Sequence, residues 1–379
     1  METVVEYVAH RHQNSFKSLV WRRFKKHRLA LFSLCMLVFL ACLSIGAFLI
    51  ENFLGVSHSV ASLDMANLAP AYPHLLGTNE LGQDVFLRLI FGGQISLSVG
   101  FLSALASAII GTLIGLLAGY FGGYIDSILM RFTDAMLSVP VLPLMIVFAA
   151  LDLNLIFKAS LSASFWGILF LIFLSGYLLL RFLSDRTEKA KSRGYFLSLF
   201  KDSLLVSAIL LVLYGVVFRL IPWQSFSSGN FASVTKLIFI IVFFGWMSVA
   251  RLARASALQL KNMEFVTAAQ ALGASHRRII LSHIFPNALA PIIVAATLEV
   301  GSNILYEAAL SFLGLGIQPP VSSWGNMLNN AVDYIKSNPS LAFWPGLFIL
   351  VTVACFNFLG DGLRDALDPH QVMKSAENK

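Results

Sequence analysis

Eight apolar runs of roughly membrane-crossing length dominate this chain: Leu29–Ile50, Gln94–Tyr120, Ala135–Leu151, Phe165–Leu183, Leu204–Ile221, Lys236–Ala250, Asn287–Tyr306 and Leu341–Leu359. A helix crossing the hydrocarbon of a bilayer needs about 20 such residues. In lipid, a helix is the one form in which a single segment satisfies its own backbone hydrogen bonds. The runs therefore predict an all-α integral membrane protein. Composition agrees, because 57% of the 379 residues are hydrophobic, 12% are charged and the mean hydropathy is +0.77. A water-soluble fold could not hide that much apolar surface.

The first run is about 22 residues long, against roughly 7–15 for the core of a signal peptide, so it reads as an uncleaved span. It follows a basic amphipathic arm, Arg11–Arg28, ending WRRFKKHR. By the positive-inside rule this arm places the N-terminus in the cytoplasm. The net charge of +7 comes from similar short blocks beside apolar runs, which is a topology signal and not a nucleic-acid face. Cys35, Cys42 and Cys355 all lie inside apolar runs, where they read as small core or lipid-facing residues and not as disulfides or metal ligands.

Between two runs lies Glu264–Asn287, EFVTAAQALGASHRRIILSHIFPN. It is too polar to span, yet Phe265, Val266, Ala269 and Leu272 recur at helical spacing. Gly273 falls where a turn between two short helices is expected, and Pro286 opens the next run, where a missing N–H costs little. The segment is either a surface-lying linker helix or a helix that docks in a partner's groove. Ala268, Ala269 and Gly273 in AA-x3-G spacing, followed by I-F-P-N, resemble the "EAA" loop of ABC importer permeases, with Thr267 in place of the motif's first Glu and Phe285 in place of the Leu before the proline. The resemblance implies a coupling helix seated in a cleft of the ATP-hydrolysing subunit, with Glu264, Thr267, Ala268, Ala269, Gly273, Ala274 and Pro286 forming the coupling loop.

Other stretches resemble the dipeptide, oligopeptide and nickel branch of the same family. The polar loop Glu51–Gly93 is nearly free of basic residues, as expected on the outer side, and His74–Gly100 (HLLGTNELGQDVFLRLIFGGQISLSVG) is similar to the signature leading into the second span. Asn79 and Gln83 depart from its G-T-D-x-x-G-R-D wording, and a Gly- and Asp-rich turn packed on the outer face is the plain reading. The second run carries Gly100, Ser103, Ala104, Ser107, Gly111, Gly115, Ala118 and Gly119, small residues whose spacing lets helices approach closely in lipid. An interfacial helix with Asp126, Arg131 and Asp134 follows, then a span over Ala135–Leu151 with Pro140 and Pro143 near its start. Trp246–Arg254 matches the W-x-x-x-A-R-x-x-R run before the coupling loop, and lipid head groups account for Arg251 and Arg254. His276, Arg277 and Arg278 face either lipid or the ATPase. EAALSFLGLG, a Pro pair and SWG within Leu305–Leu328, and the tail Gly360–His370, are also close to the family wording. Glu299, Asn303 and Glu307 are polar groups in a spanning segment, which usually face a protein interior or an aqueous path. They are candidates for the translocation path, with a buried hydrogen-bonded carboxyl as the alternative.

The family does not usually carry Phe165–Leu183 and Leu204–Ile221, with the basic segment SDRTEKAKSRGYFLSLFKD between them. Two added spans leave the downstream orientation unchanged, and the insertion reads as a peripheral hairpin, a lid or a docking site. No G-x-x-x-x-G-K-[ST] loop, H-E-x-x-H pair or G-x-S-x-G elbow occurs.

The expected architecture is a six-helix ABC importer permease core plus an inserted transmembrane pair, about eight spans in all. The boundaries are a cytoplasmic arm 1–28, first helix 29–50, external loop 51–93, core 94–152, inserted hairpin 153–234, core 235–360 with coupling loop 251–286, and cytoplasmic tail 361–379. The resemblance implies a non-catalytic C-type subunit of a bacterial inner-membrane importer for di- or oligopeptides, with both termini cytoplasmic and no cofactor of its own. Its partners would be a homologous B-type permease, two ATP-binding subunits, an external peptide-binding protein and membrane lipid, with no nucleic acid. Import of nickel or a metal chelate by the same architecture, a secondary transporter driven by an ion gradient, and a non-transport membrane scaffold are the alternatives.

Overall fold

The computed structural model describes residues 16–151 and 232–367, so the two inserted apolar runs and the basic segment between them lie outside the described residues. Among the described residues the fold is helical, with two isolated β-bridges (Ala71–His74 and Thr78–Asp84) and no strand. The helices in order are α1 (Phe16–Phe24), α2 (Arg28–Ile45), α3 (Ala47–Leu54), α4 (Val85–Phe121), α5 (Gly123–Leu137), α6 (Val141–Ala150), α7 (Ala232–Leu260) and α8 (Glu264–Ala271). A short turn at His276–Arg278 and a π-helical stretch, Ile279–Ile284, lead into α9 (Phe285–Phe312), followed by α10 (Trp324–Ala331) and α11 (Ser340–Leu367). Five helical stretches are long and apolar enough to cross a membrane, six if the bent pair α5–α6 is one crossing.

The span expected over Ala135–Leu151 is divided between α5 and α6, which meet at 82°. Pro140 has no N–H to give the helix, and its ring disfavours helical geometry at Val139. The pair still travels along α7. Asp126 bonds Arg254 near one end, and Lys236 Nζ donates to the Ala149 carbonyl at 2.6 Å near the other. Those two points lie eighteen residues apart on α7, about 27 Å at 1.5 Å per residue, close to the hydrocarbon thickness.

Four helices, α4, α7, α9 and α11, outrun the expected boundaries. α4 begins nine residues earlier than Gln94, because the Asp84 carboxylate accepts from the Leu87 N–H at 2.7 Å and caps it. Its 37 residues extend about 56 Å, so the end of the external loop is helix. α11 runs unbroken to Leu367, which makes the expected tail helix a continuation of the last span. The outer loop before α4 folds back on itself. Asn79 Oδ1 accepts from the N–H groups of Leu81 (3.1 Å) and Gln83 (2.8 Å), and Gln83 Oε1 accepts from Asn79 and from the buried Arg88 guanidinium. A Cβ at Gly82 would fall 1.8 Å from the Ser62 carbonyl, in a backbone at φ +73°. Just outside the first span, burial raises the pKa of Glu51, but hydrogen bonds from the His58 ring and backbone outweigh it and hold the carboxyl below the usual range.

α4 is the element against which the others are set. Along its inner half, a Cβ at Gly111 would lie 2.4 Å from the Trp246 carbonyl, at Gly115 2.3 Å from the Ala250 carbonyl, and at Gly119 2.7 Å from Ala257 Cβ. Residues four apart share one face of a helix, so this glycine row is the groove in which the α7 backbone lies. Along the outer half, Gly100 faces Ile304 of α9 and Gly92 faces Ser323 and Trp324. Because lipid is as apolar as a leucine side chain, such close backbone contact, and not the hydrophobic effect, holds these helices together.

Gly115→Val is expected to force α4 and α7 apart and to cost about 1–3 kcal/mol, read as a lower midpoint of thermal unfolding in detergent. Leu113→Val, on the exposed face of the same turn, should stay within about 0.5 kcal/mol of wild type. Equal midpoints for the two variants would show that the glycine row does not set the packing.

Candidate functional site

The described surface most unlike a lipid-facing helix is α8 and its surroundings. Val266 is its one buried side chain, packed among Leu116 of α4, Val249, Ala253 and Ala257 of α7, and Ile279, Ile284, Ala288 and Ile292 beyond. That single anchor turns Phe265, Ala268 and Leu272 outward, with Leu272 89% exposed. Glu264 and Thr267 are exposed as well, while Ala269 and Ala274 are half-buried. The helix stops in a Schellman motif: the Ala274 N–H reaches the Ala269 carbonyl (3.0 Å) and the Gly273 N–H reaches the Gln270 carbonyl (2.9 Å). Gly273 is left-handed, φ +78°, with nothing within 4 Å of the place a Cβ would take. Its requirement is therefore backbone conformation and not space. Pro286 lies in the first turn of α9, directly after the π-helical stretch, where its missing N–H breaks no helical bond.

The loop is tied to the helices on both sides. Tyr120 Oη and His276 Nδ1 are 2.7 Å apart, with the His276 ring edge-on to Tyr120 and Phe121. Lys261 Nζ donates to the Gly119 carbonyl at 3.2 Å, which places a cation at the negative end of α4. Arg251 and Arg254 were expected at lipid head groups, but they have protein partners. Arg254 makes a two-pronged bond to Asp126, 2.7 Å on its Nη2 side, and Arg251 pairs with Asp134. Residues 128 positions apart in the chain leave no local spacing by which the sequence could announce such a pair. His276 points to Tyr120, while Arg277 and Arg278 are exposed and make no ion pair among the described residues.

Glu299, Asn303 and Glu307 lie on one face of α9, four residues apart, and meet different surroundings. Glu307 is fully buried: Ser96 Oγ donates to Oε2 (2.9 Å) and Ser311 Oγ to Oε1 (2.8 Å). Ser96 Oγ in turn accepts from the Trp324 N–H (3.2 Å) and Ser311 Oγ from the Ile317 N–H (3.1 Å). One carboxyl thus joins α4, α9, α10 and the turn between the last two. Glu299 and Asn303 are not so placed. Glu299 Oε2, Asn303 Nδ2 and the hydroxyls of Ser103 and Ser107 are buried without a hydrogen-bond partner in the protein. Gly245 of α7 faces both Ser107 and Glu299, at 2.6 and 2.7 Å from its would-be Cβ. Ser103, Ser107 and Gly245 join this seam only in three dimensions. No group of three metal-binding side chains occurs among the described residues.

The family described as "binding-protein-dependent transport system inner membrane component" matches residues 111–372, and the "N-terminal TM domain of oligopeptide transport permease C" matches residues 15–70. The chain is 35% identical over 359 residues to the dipeptide transport system permease protein DppC of Bacillus subtilis, covering 94% of this chain and 86% of that protein. It is 35% identical over 350 residues to the oligopeptide transport system permease protein OppC of Escherichia coli K12, and 36% to that of Salmonella typhimurium, each covering 92% of this chain and 89% of the relative.

The two carboxyls of α9 should respond oppositely to removal. Glu307→Ala strips two serines of their acceptor and is expected to cost about 1–3 kcal/mol, whereas Glu299→Met removes a group with no partner in the protein and should leave stability unchanged or raised. Unfolding midpoints of the two variants in the same detergent check this, and a Glu299→Met loss as large as that of Glu307→Ala would contradict it.

Proposed function

Because this chain belongs to the family of binding-protein-dependent transport system inner membrane components, we propose that it is the C-type permease subunit of an ABC importer carrying di- or oligopeptides into the cytoplasm. It is a multi-pass inner-membrane transport component. The peptide cargo is proposed from the relatives, which are dipeptide and oligopeptide permeases. The observation that carries the coupling is α8, a helix fixed by one buried valine with its apolar face, Phe265, Ala268 and Leu272, turned outward. An exposed apolar helix face on a rigid seat is the surface a partner's groove takes up.

In this reading two ATP-binding subunits hold the nucleotide and receive α8, a homologous B-type permease completes the pore, and a peptide-binding protein delivers cargo from outside. The chain itself is non-catalytic and binds no cofactor, and both termini face the cytoplasm. Closure of the ATPase pair moves α8, and the movement is biased by the partner's different contact with the two states. Tyr120–His276 and Lys261–Gly119 pass it to α4, and Arg254–Asp126 passes it to the bent pair. Glu299 and Asn303, with unpaired polar atoms among packed helices, are assigned to the translocation path. Glu307 holds the outer end of that path together through its serine bonds.

The direct test is uptake of a labelled tripeptide by vesicles carrying the co-expressed complex. Uptake that requires ATP and the binding protein supports the reading. Uptake without ATP, driven by an imposed ion gradient, would replace it with a secondary transporter, and uptake of a nickel chelate in place of peptide would move the cargo but keep the architecture. Gly273→Val places a β-branched residue at φ +78°, at a local cost of about 1–2 kcal/mol. Uptake should fall several-fold while the ATPase subunits still co-purify, and Gly273→Asn, which tolerates that conformation, should keep most of the activity. Wild-type uptake by Gly273→Val would remove the turn from the mechanism.

A further inference from the structure

Where the first and last described helices meet, α1, α2 and α11 border an open apolar groove of about 460 Å³. Its walls are Val20, Trp21 and Phe24 of α1, Leu34 of α2, and Leu359 and Leu363 of α11. The floor is tight, because Phe24, Ala30 and Ala366 are buried against one another and a Cβ at Gly362 would meet Ala30 at 2.2 Å. Around the groove, the end of α1 and the turn into α2 carry five cations in seven residues: Arg22, Arg23, Lys25, Lys26 and Arg28. Arg22, Lys25, Lys26 and Arg28 are exposed, and Lys25 Nζ stands 5.2 Å over the Trp21 ring. The facing end of α11 offers two carboxylates, Asp361 and Asp365, the latter 3.8 Å from His27.

We propose that this groove is a specific site for an anionic phospholipid, with an acyl chain along the leucine-lined wall and the phosphate on the basic turn. Two features select this occupant. The lining is almost wholly apolar, with the Trp21 indole N–H as its one side-chain donor, so a polypeptide entering would leave most of its N–H and C=O groups unpaired, whereas an acyl chain has none to lose. A basic cluster beside an apolar inter-helical pocket at a membrane surface is the arrangement that holds an acidic head group, and cation and groove here belong to one short segment, so head and chain are bound together. The site lies apart from α8 and the polar seam, and would make the anionic lipid a structural ligand that pins α1 to the end of α11. It rests on the membrane-spanning architecture and not on the peptide cargo, so its test reads lipid and not transport.

The experiment is native mass spectrometry of the whole purified complex after detergent washing and exposure to mixed micelles of phosphatidylglycerol or phosphatidylcholine. Phosphatidylglycerol is expected to be retained at one per copy of this chain and phosphatidylcholine is not. Lys25→Ala and Lys26→Ala, exposed positions that leave the packing intact, should each weaken retention about fivefold, the equivalent of about 1 kcal/mol per surface cation. Leu363→Trp, which fills the groove, should abolish retention. Equal retention of both lipids, or retention untouched by all three variants, would identify annular lipid only and overturn the site, as would no retained lipid on the wild-type complex.

Discussion

Everything in this molecule hangs on the closeness with which α4 approaches α7 and α9. In a bilayer the hydrophobic effect does not drive helices together, so the association depends on van der Waals contact and on whatever polar groups can be paired. The row Gly111, Gly115, Gly119 supplies the contact by letting carbonyls of α7 lie where side chains would otherwise be. Once α4 and α7 are locked, their ends define the cluster in which Val266 sits, and so the seat of α8. The exposed face of α8 is thus a consequence of how the long helices pack and not an independent module.

The polar groups are distributed in the same economy. At the outer end, Glu307 is surrounded by serines and a backbone N–H chain, and a fully paired network of this kind fixes one arrangement of α4, α9 and α10. At mid-height Glu299, Asn303, Ser103 and Ser107 lack partners within the described residues. Buried polar atoms are almost always paired, so an unpaired seam between well-packed ends is where another arrangement of the helices, or another molecule, has something to offer. The polar groups are thus fully paired around Glu307 and unpaired around Glu299.

Around α8, charge takes the role that glycine takes within the bundle. The Arg254–Asp126 fork, the Arg251–Asp134 pair and Lys261 on the last turn of α4 bind the bent pair and the coupling loop to the long helices. A planar guanidinium on a carboxylate fixes orientation as well as distance.

The sequence alone determined the class of fold and the two-helix turn at Gly273. Runs of apolar residues have no alternative to helix in lipid, and Gly273 announced its turn because a left-handed residue is a local requirement that glycine meets most readily. Helix ends were less legible: α4 starts at Val85 because of the Asp84 cap, and Ala135–Leu151 is bent because Pro140 interrupts a run that looks continuous by hydropathy. What only the tertiary structure decided is which polar residues find each other. Arg254 with Asp126, Tyr120 with His276, and Glu307 with Ser96 are each more than a hundred positions apart. Glu299 and Glu307 look alike on paper, two carboxyls on one face of one helix, and differ because packing brings serine hydroxyls to one and not to the other. Propensity and hydropathy act along the chain, whereas partnership acts across it.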